Sequence, residues 1–160
     1  MRAIVISDSH NDISSCERAI NASGKLDMII HLGDIAKDVD YLESRFYPLT
    51  VVSVLGNNDF LRSGVYEKVI EFDSHKIFIC HGHTLSVSSS TKRLEEAALK
   101  NGCEAAFFGH THRSVLKNNE EGLLILNPGS VSRPRFCKPS FAILETDGGK
   151  LNAVIVDWVL

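Results

Sequence analysis

The chain opens with MRAIVISDSHND (residues 1–12), in which a short apolar run is followed almost at once by a polar cluster. The run Ala3–Ile6 is rich in β-branched side chains, which is typical of a buried strand. Asp8 and His10 come directly afterwards, two positions apart. Asn11 or Asp12 can then cap a helix. A buried strand followed by a helix indicates an α/β fold.

The same arrangement of an apolar run and a polar cluster recurs four more times. The later runs cover residues 28–30, 51–55, 77–80 and 105–108. The clusters after them are Gly33-Asp34, Gly56-Asn57-Asn58-Asp59, His81-Gly82-His83 and Gly109-His110-Thr111-His112. In open α/β sheets, ligands bind at the carboxyl ends of the strands. We therefore expect the five clusters to converge on one site.

Composition and charge restrict the class of protein. With 160 residues, 44% hydrophobic and 23% charged, the chain fits one globular domain over residues 1–160. The net charge of −3 and the scattered Lys and Arg residues give no strong signal for nucleic acid or for a membrane surface. The four cysteines form no Cys-x-x-Cys pair, and the N-terminal apolar run is too short for a signal peptide. These features predict a cytoplasmic protein.

The order of elements predicts two packed sheets with helices outside. Strands and helices alternate in the first third, with helices expected from residue 11 or 12 to about Ser23 and over residues 38–45. A third helix is expected over residues 91–100. Beyond His112 the pattern is all-β, with hairpin signals around residues 118–122 and 147–149. A further hairpin turn is expected at residues 73–75, which would place His75 in a solvated loop, whereas His31 follows an apolar run and is expected to be buried.

The side chains of the clusters suit a site for two divalent cations. Such a pair needs a shared anionic ligand, for which Asp34 is the natural candidate, together with further oxygen or imidazole ligands. The candidate ligands are Asp8, His10, Asp34, Asn57, His81, His110 and His112. A mixed oxygen and nitrogen set without thiolate favours manganese, iron, zinc, cobalt or nickel over calcium or a structural zinc. Two such ions would activate a bridging water and hold phosphoryl oxygens, so no protein nucleophile is needed.

The ordered clusters resemble those of the calcineurin-like metallophosphoesterase superfamily, and in particular its small single-domain branch. That branch includes phosphodiesterases and the retromer subunit of the same fold. The resemblance extends from Asp8 to the segment 127–130. It implies a β-sandwich flanked by helices and two divalent ions, with manganese favoured. It also implies one metal between Asp8, His10, Asp34 and His112, and the other between Asp34, Asn57, His81 and His110.

One position departs from the family pattern. Many relatives have a histidine where Asn58 stands, and that histidine donates a proton or contacts phosphate. Asn58 cannot donate a titrating proton, so either the leaving group departs unassisted or His83 substitutes. Asp59 is expected to orient Asn58 or a neighbouring ligand. Arg133 is a candidate phosphate contact, with surface solvation as the alternative.

The resulting hypothesis is a metal-dependent hydrolase that cleaves a small phosphoester, with diesters favoured by the resemblance to the small branch. The metal-bridging hydroxide would attack the phosphorus. The alternative is a non-catalytic scaffold of the same fold that binds protein partners, as the retromer subunit does. Relatives often form oligomers, so a homo-oligomer is also expected.

Overall fold

The computed structural model describes residues 1–59 and 62–158. Within these ranges the chain forms ten strands, three α-helices and a short 3-10 turn at His83–Leu85. The α-helices are α1 (Ile13–Ala22), α2 (Ala36–Arg45) and α3 (Lys92–Lys100). The strands are β1 (Arg2–Ile6), β2 (Met28–His31), β3 (Thr50–Ser53), β4 (Glu67–Phe72), β5 (His75–Cys80), β6 (Ala105–Phe107), β7 (Ser114–Asn118), β8 (Leu124–Pro128), β9 (Ser140–Asp147) and β10 (Lys150–Asp157).

The strands form two mixed sheets of five strands each. The first sheet has the order β10-β9-β1-β2-β3, and the second has the order β4-β5-β6-β8-β7. Strands β1, β2 and β3 are parallel, as are β5, β6 and β8, whereas the late strands β9 and β10 pair antiparallel. The predicted fold of two packed mixed sheets flanked by helices is therefore confirmed.

The alternation of side chains along each strand produces three hydrophobic layers. Ala3 and Val5 of β1 face the second sheet and join Phe72 and Phe107 in a core between the sheets. Ile4 and Ile6 point the other way and pack with residues of α1 and α2. Helix α3 covers the outer face of the second sheet in the same manner. Since neighbouring strand residues point to opposite faces, one apolar run serves two layers.

Helix α1 forms as its local sequence predicts. The side chain of Asp12 caps the helix and accepts a hydrogen bond from the Ser15 backbone N–H at 3.1 Å. Gly24 follows the helix with a φ of +72°, a conformation that glycine adopts at low cost. No helix in the described ranges has both the length and the apolar character needed to cross a membrane.

The expectation for His75 was wrong. Asp73 and Ser74 alone form the turn, both at positive φ, as a two-residue hairpin turn requires. His75 is consequently the first residue of β5, opposite Phe72. Its side chain is buried, with Nδ1 3.0 Å from Oε2 of Glu104. The shorter turn moves the side chain from solvent into the edge of the core.

Candidate metal centre

The loops that follow β1, β2, β3, β5 and β6 meet at one edge of the molecule. They bring together all seven side chains that the sequence analysis named as candidate ligands, through the contacts described below. Asp8, Asp34, His81 and His112 are buried, whereas His10, Asn57 and His110 are partly exposed. The site is thus open to solvent on one side and enclosed by protein on the other.

One group of potential ligand atoms comes from Asp8, His10 and His112, whose nearest atoms lie within 4.8 Å of one another. The Nε2 atoms of His10 and His112 are 3.1 Å apart. His112 Nε2 is also 3.3 Å from Asp8 Oδ1. Asp34 Oδ2 approaches the same group, at 2.9 Å from His10 Nδ1.

A second group contains Asp8, Asp34 and His81, again with ligand atoms within 4.8 Å. Asn57 Oδ1 adds to it, because it lies 3.0 Å from His81 Nε2 and 3.0 Å from His110 Nδ1. Asp8 therefore belongs to both groups, while Asp34 belongs to one and contacts a histidine of the other. The sequence analysis expected only Asp34 to be shared.

Two backbone carbonyls determine which nitrogen of each buried histidine carries the proton. His112 Nδ1 lies 2.5 Å from the carbonyl oxygen of Arg133, and His81 Nδ1 lies 2.8 Å from that of Leu32. A carbonyl oxygen only accepts hydrogen bonds, so both Nδ1 atoms must donate. In the neutral rings, Nε2 then presents a lone pair to the cluster. Carbonyl contacts of this kind commonly orient histidine ligands of metals.

The cluster contains more acceptors than donors. Asp8 Oδ1 and Asp34 Oδ2 are buried and make no well-formed hydrogen bond with the described residues. Beside them lie the Nε2 lone pairs of His81 and His112 and the amide oxygen of Asn57. Buried polar atoms without partners are costly, unless a cation binds between them. This donor set of carboxylate, imidazole and amide fits first-row divalent ions.

The pKa shifts in the cluster reflect the same excess of hydrogen-bond acceptors over donors. Burial raises the pKa of Asp8, but the contact with His112 and the nearby charges of His81 and His112 together hold it below its ordinary value. The contact with Asp8 raises the pKa of His112, against the effect of burial. Burial lowers the pKa of His10 and His110. The contact with Asp8 thus favours a proton on His112, which would have to leave before Nε2 could bind a metal.

Backbone strain is concentrated in the cluster. Five of the seven candidate ligands have positive φ, a conformation that is unfavourable for residues with a Cβ: Asp8 (54°), His10 (50°), Asp34 (111°), His110 (66°) and His112 (58°). Such strain costs on the order of 1 kcal/mol or more per residue and is found preferentially at functional sites. The strain supports a functional role for these loops.

Close backbone approach also requires glycine at two positions. A Cβ on Gly56 would lie 2.3 Å from the backbone nitrogen of Asp34, and one on Gly109 would lie 2.0 Å from Ser7 Oγ. The glycines in the polar clusters therefore allow the loops after different strands to touch one another.

The three residues expected to assist catalysis take different positions. Asn58 is exposed, and its Nδ2 donates to Asp34 Oδ1 at 2.5 Å. Asp59 is buried, and its carboxylate accepts from the backbone N–H groups of Ala36 and Gly56 at 2.7 and 2.8 Å. Both oxygens of Asp59 hold the loops that carry Asp34 and Asn57, so its contacts are positional.

His83 lies at the rim of the cluster. Its ring centroid is 5.5 Å from that of His81 and 6.1 Å from that of His110. Its Nδ1 is buried and has no hydrogen-bond partner among the described residues. Burial, and then the charge of His81, lower the pKa of His83. The neutral ring is therefore favoured near neutral pH.

Arg133 contributes through its backbone as well as its side chain. Its carbonyl oxygen accepts the hydrogen bond from His112, and its exposed guanidinium lies near enough to His10 to lower the pKa of that histidine. The side chain is thus exposed at the edge of the cluster, a position compatible with a phosphate contact and with surface solvation alike.

The sequence analysis did not assign roles to two residues of the segment 127–130. Asn127 is buried at the end of β8, and its Nδ2 donates to the Gly109 carbonyl at 2.9 Å and to Thr111 Oγ1 at 3.0 Å. Ser130 Oγ donates to the Asp8 carbonyl at 2.8 Å. Both hold ligand-bearing loops in place. The sequence contained a signal for these roles, because this polar segment follows an apolar strand just as the five ligand clusters do.

Comparison with known proteins identifies the family. A sequence profile of the calcineurin-like phosphoesterase superfamily domain matches residues 1–149. The chain belongs to this superfamily. The resemblance inferred from the five clusters is confirmed, and members of the calcineurin-like phosphoesterase superfamily use divalent metals.

Two curated relatives extend over nearly the whole chain. A probable metallophosphoesterase of Methanothermobacter thermautotrophicus is 31% identical over 95% of this chain and 90% of its own length. A phosphodiesterase of Methanocaldococcus jannaschii is 25% identical over 98% of this chain and 100% of its own length. Relatives with these names support a hydrolase.

Solved structures agree with the fold. A predicted phosphoesterase of Streptococcus pneumoniae superposes with a TM-score of 0.78 at 28% identity, covering 98% of this chain and 88% of that one. Vps29 of Entamoeba histolytica, in a complex with zinc, superposes with a TM-score of 0.75 at 23% identity, covering 98% and 99%. The second similarity concerns the fold alone.

Proposed function

We propose that the protein is a phosphodiesterase that depends on two divalent metal ions. The observation that carries this proposal is the pair of overlapping ligand groups, in which two buried carboxylate oxygens without a well-formed hydrogen bond lie beside histidine nitrogens. Buried acceptors without partners reduce stability, so their retention supports the binding of a cation between them.

The seven cluster residues would hold the two ions. Asp8, His10 and His112, with Asp34, would hold one, and Asp34, Asn57, His81 and His110 would hold the other. Asp8 is a second candidate for a shared ligand, because it belongs to both groups. Manganese is the first candidate metal, with zinc, iron, nickel and cobalt as alternatives.

When bound, two such ions supply a nucleophile by lowering the pKa of water, and they neutralise charge on the phosphoryl oxygens. The protein would supply the positioning. The carbonyls of Leu32 and Arg133 fix the tautomers of His81 and His112. Asn58 would keep Asp34 in place through its short hydrogen bond, and the Arg133 guanidinium would bind a phosphoryl oxygen at the edge of the site. His83 would contact the substrate or its leaving group.

A small phosphodiester is the substrate that we propose. The curated phosphodiesterase relative supports this class. The absence of a histidine at Asn58 concerns the leaving group rather than the ester class, because an unassisted reaction requires a leaving group that departs readily. We further propose that the protein acts in the cytoplasm, consistent with its four cysteines, none of which forms a disulfide.

The alternative is a scaffold that binds protein partners. The similarity of the fold to that of Vps29 is the observation that motivates this alternative. Metal content does not discriminate between the two functions, because one Vps29 structure is itself a zinc complex. Catalysis does discriminate. The complete set of seven ligand-type side chains favours the enzyme.

The test is hydrolysis of a panel of phosphodiesters and monoesters by chelator-treated protein, reloaded separately with manganese, zinc, nickel, cobalt or ferrous iron. We expect diester hydrolysis to be lost with chelator and restored by at least one metal. Metal content should be measured in parallel. Full activity in metal-stripped protein, or metal binding with no hydrolysis of any ester, would contradict the proposal.

A further inference from the structure

A pocket of about 390 Å³ opens beside the loop that carries the histidines His110 and His112. Thr111, which lies between these two histidines, lines the pocket, and so does Arg135, whose backbone N–H donates to the His112 carbonyl at 3.1 Å. The pocket thus borders the loop that carries two candidate ligands, although none of the seven candidate ligands lines it. Its volume falls within the range of small-molecule sites and suits one group of about nucleotide size.

The floor of the pocket is apolar, and an exposed aromatic ring stands at its rim. Val87 and Phe108 provide buried apolar surface. Phe136 is 93% exposed and has a φ of +61°, a strained conformation for a residue with a Cβ. The Arg113 guanidinium lies on one side of the ring, with its Cζ 4.9 Å from the ring centroid. An aromatic ring held in solvent by a strained backbone has a free face for stacking.

The charged side chains that line the pocket are all positive. They are Arg113, Lys117 and Arg135. In the described ranges 1–59 and 62–158, neither arginine side chain forms a salt bridge or a hydrogen bond, whereas the charge of Lys117 also acts on Glu95. Two guanidinium groups thus remain available for an anion, in a protein whose net charge is negative.

On the basis of the proposed phosphodiesterase function, we propose that this pocket is a specificity subsite for a nucleotide group of the substrate. The base stacks on the free face of Phe136 over the apolar floor, and Arg113 and Arg135 bind an additional phosphate. The scissile phosphate extends from the pocket past Thr111 into the metal cluster. The pocket volume limits the substrate to about a single nucleotide unit.

The pocket can be tested without metal, because it contains no candidate metal ligand. Binding of thymidine 3′,5′-bisphosphate is measured by calorimetry in EDTA for the wild type and for Phe136→Ala. Tyr47→Ala is the matched control, since Tyr47 is 84% exposed and does not line the pocket. We expect Phe136→Ala to raise the Kd at least about fivefold, in keeping with base–aromatic stacking, and Arg135→Gln to raise it similarly. Tyr47→Ala should leave it unchanged.

Hydrolysis provides the second measurement. Thymidine 5′-(p-nitrophenyl phosphate) and methyl p-nitrophenyl phosphate share one leaving group and differ in the nucleoside. We expect Phe136→Ala to lower kcat/KM at least about fivefold for the thymidine ester, and less than about twofold for the methyl ester.

The outcomes separate the two proposals. If the wild type binds the bisphosphate no more tightly than inorganic phosphate, or if Phe136→Ala affects both esters equally, the subsite is wrong while the phosphodiesterase function stands. If neither ester is hydrolysed with any metal, the phosphodiesterase function itself is wrong, whatever the calorimetry gives.

Discussion

The Nε2 atoms of His10 and His112 lie 3.1 Å apart, although 102 residues separate the two side chains in the chain. Because the Arg133 carbonyl occupies Nδ1–H of His112, the neutral ring points a lone pair at His10. His10 in turn has its Nδ1 2.9 Å from the Asp34 carboxylate. Two facing histidine nitrogens can share a proton or bind a cation between them. A proton and a metal ion therefore compete for this position.

Metal occupancy should therefore depend on pH. The contact with Asp8 raises the pKa of His112, so a proton competes with a metal for this ring up to a higher pH than at an ordinary histidine. At limiting metal, we expect occupancy to fall as the pH is lowered through neutrality. Elemental analysis after equilibrium dialysis measures this. His75→Gln is the control, because His75 lies outside the cluster, and an occupancy independent of pH would argue against histidine ligands.

Replacing Asp34 with Asn should abolish most of the activity. The change preserves volume but removes the buried carboxylate charge of a residue that belongs to one ligand group and contacts His10 of the other. Loss of residues that merely orient metal ligands costs about 10–100-fold, so we expect a fall of at least about 100-fold in kcat. Steady-state assays at saturating metal measure it. Asp40→Asn, at an exposed carboxylate paired with Arg62, is the control. Near-normal activity of Asp34→Asn would refute a shared role for Asp34.

The residue that protonates the leaving group can be identified with a leaving-group series. Asn58→His should raise kcat most for esters with poor leaving groups, where general acid catalysis contributes about 10²–10⁴-fold, and least for nitrophenyl esters. If His83 serves as the acid, His83→Ala should lower kcat most for the same poor leaving groups. Equal effects on good and poor leaving groups in both variants would leave Asn58 and His83 as positioning residues.

His31 should make the stability of the metal-free protein depend on pH. It is fully buried, and burial lowers its pKa to about 4. Its Nδ1 accepts from the Gly33 N–H, so protonation would break that bond. The unfolded chain binds the proton near pH 6.5 and the folded chain only near pH 4, so the free energy of unfolding falls as the pH is lowered through this window. The loss should reach at most about 3 kcal/mol.

Urea unfolding in EDTA at several pH values measures this effect for the wild type and for His31→Gln. We expect the variant to lose less stability than the wild type between pH 6.5 and 4, whatever its stability at neutral pH. Parallel curves for the wild type and His31→Gln would show that His31 does not titrate with a lowered pKa.

Local sequence signals predicted the helices and strands of the fold, but they did not predict every contact that caps a helix. Helix α1 was predicted with its cap, because Asp12 is adjacent to the helix that it caps. Helix α2 begins at Ala36, two residues before the predicted start, and its first N–H donates to Asp59. That cap lies 23 residues away. A sequence window cannot detect a cap that only the packing of two loops brings into place.

The sequence by itself determined the alternating strands and helices, the polar clusters after the strands and the chemistry of the candidate ligands, because these depend on side-chain type and on spacing within one segment. Only the tertiary structure decided that Asp8 belongs to both ligand groups, that the carbonyls of Leu32 and Arg133 fix two histidine tautomers, and that a pocket lies beside Thr111. These features join segments that are distant in the chain. Their geometry depends on how the two sheets pack, which no local pattern encodes.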